Sequence, residues 1–232
     1  MSISIFWFRR DLRLQDNTAL YHALKGEHPV QPIFIFDTNI LDELPTKDAR
    51  VEFIHQTIAD INEQLKSKGT TLLVKYGKPI EVWKDLLETY DIKALYANRD
   101  YEPYARERDR AVYEMLEAKG IPFKSYKDHV IFERSEVLTQ MGKPYGVFTP
   151  YKNAWLQKVN DFYLKSYPVG KYIKALAARP KAYQVPVPTL ADIGFEPTNL
   201  SNLHVPTGSP GGLALFEDFF DRMDKYDETR NF

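Results

Sequence analysis

Five short apolar runs, separated by stretches of helical periodicity, limit what this chain can fold into more than any other feature. The runs are ISIFWF at 3–8, PIFIF at 32–36, TLLVKY at 71–76, IKALYA at 92–97 and the more polar IPFKSY at 121–126. A strand covered on both faces has no solvent side, so it reads as a nearly unbroken apolar run. Between the runs, Val51, Ile54, Ile58, Ile61 and Leu65 recur at spacings of three and four, which predicts a helix over 47–68 with Thr46 as its N-cap and Gly69 as its stop. Pro79 opens a second helix over 79–89, with Val82, Leu86 and Tyr90 on its apolar side. A third, over 102–119, turns Val112, Met115 and Leu116 inward and stops at Gly120. Strand and helix in alternation predict an α/β domain over residues 1–130, a Rossmann-like, doubly wound sheet of five parallel strands.

The texture then changes. Residues 131–211 carry Pro168, Pro180, Pro186, Pro188, Pro197, Pro206 and Pro210 and read as an irregular interdomain connector, with short helices expected from Pro150 onward and around 171–178. Residues 212–232 resume amphipathic helix. Phe216, Phe219, Phe220 and Met223 share one face of it, and nothing else in the chain is an evident partner. Such a face predicts either further sequence that covers it or contact with a second copy.

Composition removes several function classes. There is no cysteine, so disulfides, thiolate nucleophiles and cysteine metal sites are out. Lys and Arg total 31 against 32 Asp and Glu, a net charge of -1 that gives no global attraction to nucleic acid and leaves room only for a local basic face. The N-terminal MSISIFWFRRD has no basic run before an apolar signal core, and no later stretch approaches a membrane span; the expected location is cytoplasmic, with no membrane partner. His22, His28, His55, His129 and His204 form no metal-spaced pair. Neither G-x-G-x-x-G nor a G-x-x-x-x-G-K-[ST] loop is present, which disfavours a dehydrogenase or an ordinary ATPase. No nucleophile elbow and no hydrolytic carboxylate pair stands out, so the legible chemistry is binding, and no residue is assigned to catalysis.

In an open α/β sheet, ligands bind outside the carboxyl ends of the strands, where strand order reverses. The loop after the first strand is RRDLRLQDN and the loop after the fourth is NRDYEP; the second strand ends at Asp37 and Arg50 opens the next helix. This topology converges Arg9, Asp11, Arg13, Asp37, Arg50, Asn98, Asp100 and Glu102 on one mouth, with Tyr101 and Tyr104 available for stacking. Arginine and carboxylate groups suit a planar, hydrogen-bonding ring. A purely structural reading stands beside it: Asp11 with Arg13 as a loop clamp, and Asp16 or Asn17 as a helix cap.

FWFRRDLRLQDNTAL at 6–20, DTNILDELPTKDARVEFI at 37–54, NRDYEPYARERD at 98–109 and YGVFTPYKNAW at 145–155 together resemble the DNA photolyase/cryptochrome family, in order and spacing, from one end of the chain to the other. The resemblance implies that residues 1–130 are the antenna-binding α/β domain and that 212–232 begin an all-helical domain. That domain would hold FAD, carry a tryptophan electron-transfer relay and accept the flipped pyrimidine dimer of UV-damaged DNA. It implies a full-length deoxyribodipyrimidine photo-lyase that splits cyclobutane dimers by electron transfer from reduced FAD and is monomeric. The 232 residues alone are then expected to be inactive, to hold no cofactor tightly, and to self-associate or dock on their own helical domain. Arg50, Asp100 and Glu102 match members that use a deazaflavin antenna, whereas Tyr104 and Ala105 stand where folate-using members carry Asn-Glu. The resemblance therefore favours 8-hydroxydeazaflavin or FMN over methenyltetrahydrofolate. The N-terminal domain of a signalling cryptochrome and a stand-alone nucleotide-binding α/β domain are the alternatives.

Overall fold

The computed structural model describes residues 2–178 and 186–230. Five strands, β1 (Ser2–Phe8), β2 (Val30–Asp37), β3 (Leu73–Gly77), β4 (Asp91–Asn98) and β5 (Phe123–Tyr126), form one sheet in the order β3-β2-β1-β4-β5, and every pairing is parallel. The chain winds outward from β1 to β3, then crosses back to place β4 on the other side of β1. The reversal of strand order therefore lies between β1 and β4, as the doubly wound reading requires.

Side chains alternate across the central strand. Ile3, Ile5 and Trp7 enter one core with Ile33, Ile35 and Leu95, while Phe6 and Phe8 enter the other with Phe34, Phe36 and Tyr96. The first core is closed by α4 (Pro79–Thr89) and α5 (Pro103–Glu117), through Val82, Trp83, Leu86, Val112 and Leu116. The second is closed by α1 (Thr18–Leu24) and α3 (Ala49–Lys66), through Leu20, Leu24, Ile58, Ile61 and Leu65. Both faces of the central strands β2, β1 and β4 are thus dry, which is why they read as nearly continuous apolar runs, while the edge strand β5 is half-exposed and more polar.

The α3 cap differs from the expectation. Asp48, not Thr46, turns the chain: its side chain accepts from the Arg50 backbone N–H at 2.8 Å, and the helix starts at Ala49. Both residue types cap well, and the one in extended backbone immediately before the first turn wins. Gly69 and Gly120 end their helices at φ +84° and +70°, the left-handed backbone that glycine adopts without strain. A four-residue helix, α2 (Thr38–Leu41), follows β2 directly and is too short for any periodicity to show.

The connector contains α6 (Phe148–Lys158), α7 (Asp161–Leu164) and a 3-10 turn over Val169–Ala175, close to the short helices expected. It also enters the core. Ala177 donates its N–H to Val30 O at 2.8 Å, and Val169, Leu176, Ile193, Phe195 and Leu200 are all buried. The C-terminal helix α8 spans Gly208–Phe220, beginning before residue 212, and packs on α3; a short α9 (Tyr226–Thr229) follows it. The helix thus has α3 as a partner within the chain, and Phe216 and Phe220 remain exposed beside that contact. Met1, the stretch 179–185 with Pro180, and residues 231–232 of the expected helical segment lie outside the described residues.

Candidate functional site

A cleft of about 430 Å³ opens at the carboxyl ends of β1 and β2 and the loop after β4. One wall is aliphatic: Ile40, Leu41 and Leu44 from α2 and its exit, with Val51 and Ile54 from α3. Its floor holds the Trp7 ring, with the Arg108 guanidinium 4.9 Å and the Arg9 guanidinium 5.3 Å from the ring centroid. Aromatic faces attract guanidinium groups, so Trp7 fixes both while their N–H groups find carboxylates. Arg9 pairs with Asp109, and Arg108 donates to Asp109 Oδ1 at 3.0 Å and lies 3.8 Å from Asp37.

Asp37 ends β2, caps α2 through Asn39 N–H and accepts from the Tyr104 hydroxyl at 2.6 Å. Burial, followed by that bond to a carboxylate, pushes the Tyr104 hydroxyl up to about 12, so it stays a donor. On one side of the rim stands Arg50, which donates through Nε to Asp48 at 3.0 Å and through Nη2. This pairing holds the Asp48 carboxyl below the usual carboxylate range. A guanidinium has five N–H groups, so Arg50 keeps three for another acceptor. On the other side, Arg10 Nη1 bridges Asp100 at 3.5 Å and Glu102 at 3.4 Å.

Of the residues converged by sequence, Arg9, Asp37, Arg50, Asp100 and Glu102 line this cleft. Asp11 and Asn98 do not line it; they sit behind it in a buried hydrogen-bond knot. Asn98 Nδ2 donates to Asp11 Oδ2 at 2.5 Å and to Asn17 Oδ1 at 2.9 Å, and Asn17 Nδ2 donates to Asp11 Oδ2 at 3.1 Å. Asp11 also accepts from the Arg9 N–H, Asn98 from the Ala19 N–H, and Asn17 caps α1 through the Leu20 N–H. The knot ties the ends of β1 and β4 to the start of α1. The expected Asp11–Arg13 clamp is replaced by this one, because the Arg13 side chain turns to Asp128 at 2.9 Å.

Sequence reasoning missed Trp7, Arg10 and Arg108. Arg108 follows Tyr104 by one helical turn, so the spacing that placed Tyr104 at the mouth also pointed to Arg108. Trp7 looked like an ordinary core residue in an apolar run. Among the described residues no group of acidic or histidine side chains could hold a metal ion, and no helix is long and apolar enough to cross a membrane.

The sequence profile of DNA photolyase matches residues 4–172. An "uncharacterized 31.6 kDa protein in atpI 5'region" of Synechococcus sp. PCC 6716 is 32% identical over 194 residues, covering 84% of this chain and 67% of its own. A deoxyribodipyrimidine photo-lyase of Synechococcus sp. PCC 6301 is 28% identical over 236 residues, covering 98% of this chain and 47% of its own. The crystal structure of a class III photolyase from Agrobacterium tumefaciens superposes with a TM-score of 0.83 at 27% identity, over 100% of this chain and 47% of that one. An archaeal photolyase from Sulfolobus tokodaii, described with two FAD molecules, gives 0.57 at 29% identity, over 77% of this chain and 42% of that one. The chain spans about half the length of the photolyases it matches. With the profile covering most of its length and the same five-stranded parallel fold, it belongs to the DNA photolyase/cryptochrome family.

Proposed function

We propose that the cleft holds a flavin-like light-harvesting pigment, and that this chain is the antenna-side part of a photolyase acting on cyclobutane pyrimidine dimers in UV-damaged DNA. The observation that carries the reading is the cleft itself: about 430 Å³, at the strand-order reversal, aliphatic on one wall and rimmed by guanidinium and carboxylate groups. Its size is that of a small-molecule site, and a flat ring with polar edges matches that division of surface. Arg50 would offer its free N–H groups to ring carbonyls, with Asp48 holding it in place. Asp100 and Glu102, steadied by Arg10, would accept from ring or side-chain donors, and Asp37 with Tyr104 completes the polar wall. Arg9 supports the Trp7 floor, while Asp11 and Asn98 fix the loops from behind.

The donor set fits 8-hydroxydeazaflavin or FMN better than methenyltetrahydrofolate, because Tyr104 and Ala105 replace the Asn-Glu pair of folate users and the Tyr104 hydroxyl is already committed to Asp37. The two FAD molecules described for the S. tokodaii relative support a second flavin site in this family. A bound pigment of this kind absorbs light and passes on the excitation. In this reading FAD and the electron transfer belong to a helical unit beyond these 232 residues, whose contact includes the exposed Phe216 and Phe220 of α8. The test is fluorescence titration of wild type and Arg50→Ala with 8-hydroxydeazaflavin, FMN and methenyltetrahydrofolate. A flavin-like ligand should bind wild type in preference to folate and lose about tenfold or more in the variant, the size of a charged hydrogen bond. Equal affinity in the two proteins removes the role given to Arg50, and preference for folate removes the flavin reading.

A further inference from the structure

A second concavity lies on another face of α5. Tyr104, Ala105 and Arg108 turn to the first cleft, whereas Arg106, Arg110 and Tyr113, at spacings of four and three, line a groove of about 620 Å³ between α5 and β5. Arg99 and Arg134, from the segments after β4 and β5, close its ends, and Phe123 of β5 supplies an apolar surface. Every cation that lines it is an arginine. That choice matters, since a planar fork meets two oxygens of one oxyanion and an ammonium does not.

The charges of the groove do not cancel. Arg99 is paired with Glu133, and Arg110 with Glu114 at 2.9 Å. Asp109 borders the groove but is engaged by Arg9 and Arg108 of the neighbouring cleft, and Asp100 is engaged by Arg10. Arg106 and Arg134 are exposed and have neither an ion pair nor a side-chain hydrogen bond among the described residues. Two uncompensated guanidiniums therefore face one concavity in a chain whose net charge is -1. A concave wall focuses such a field. Arg134 is moreover held at φ +48°, a left-handed backbone that non-glycine residues seldom adopt. Its neighbour Glu133 is held by Arg99, by the Tyr101 hydroxyl at 2.6 Å and, through its own N–H, by Glu136 at 2.7 Å.

We propose that this groove is a nucleotide-phosphate site, in which Arg106 and Arg134 grip the phosphate oxygens and Tyr113 with Phe123 offers an aromatic surface to the base. The assignment uses none of the arginines of the pigment cleft, Arg9, Arg10, Arg50 and Arg108, although Asp100 borders both concavities. Phosphate of this kind comes either from a free nucleoside diphosphate or from a single strand of DNA. Fluorescence anisotropy of the 232-residue chain with labelled ADP and with labelled oligothymidylate, each at two salt concentrations, separates the sources, because a strand that displaces counterions loses affinity more steeply with salt. Wild type should bind at least one probe, and Arg106→Ala/Arg134→Ala should lose about tenfold or more of that affinity. Lys75→Ala/Lys84→Ala, which removes the same charge from β3 and α4, should bind as wild type does. The proposal is overturned if wild type binds neither probe, if the arginine variant keeps its affinity, or if the lysine variant loses as much. Neither arginine makes a side-chain bond among the described residues, so the variant keeps the fold.

Discussion

Asp37 shows how one carboxylate serves fold and site together. It caps α2 with Oδ1 and receives the Tyr104 hydroxyl on Oδ2, while Arg108 stands 3.8 Å away. The sequence marks Asp37 as the last residue of a strand at the binding edge, but not its contacts with Tyr104 and Arg108, which depend on how α5 is rotated. Removing the hydroxyl with Tyr104→Phe leaves a buried acceptor short of a partner, and urea unfolding should record a loss of about 1–3 kcal/mol at pH 7. Burial, chiefly, with the Asp37 bond second, raises the Tyr104 hydroxyl to about 12, above its ordinary value of 10.0. The associated stability is therefore fully present below that ordinary value and lost as pH rises through about 12. The phenylalanine variant should lack this share of the alkaline loss when the two proteins are unfolded at rising pH. Asp11 and Asn98 teach the converse: their charge and amide at a loop mouth looked like ligand groups, and only burial shows them turned inward, bonded to each other and to Asn17.

Among elements, the central strands β2, β1 and β4 were legible because burial on both faces left little polar alternation to confuse them, and α3 to α5 because three or more turns display a period. α1 and α2, seven and four residues long, display none. The seat of α8 was equally hidden. A Cβ added at Gly211 would stand 2.6 Å from the Pro206 carbonyl group, so the first turn of α8 folds against the preceding chain only with glycine there. Gly211→Ala must displace that backbone, at a cost of about 1–3 kcal/mol typical of overpacking. Because α8 rests on α3, hydrogen exchange should quicken along Gly208–Phe220 while the strand amides keep their protection. Uniform protection in both proteins would show that the backbone yields without cost.

On the scale of the whole molecule, the proposed division of labour predicts that the purified 232-residue chain, given reduced FAD and light, leaves dimer-containing DNA unrepaired. Repair above a protein-free control would overturn that division. The packing of the connector has a different consequence. Its prolines make residues 131–211 read as a strap between units, yet Val169, Leu176, Ile193 and Phe195 join the core on one face of the sheet. Their burial contributes roughly 10 kcal/mol, on the order of the whole net stability of a domain. A gene cut after residue 130 should accordingly yield a sticky, poorly folded product, however complete its strands. A nick is another matter. Subtilisin admitted at the exposed loop around Met141 should sever the chain and leave two pieces that co-elute and melt together. Covalent continuity at that loop is then dispensable while the presence of both pieces is not, which makes the loop a place where two polypeptides could share this fold.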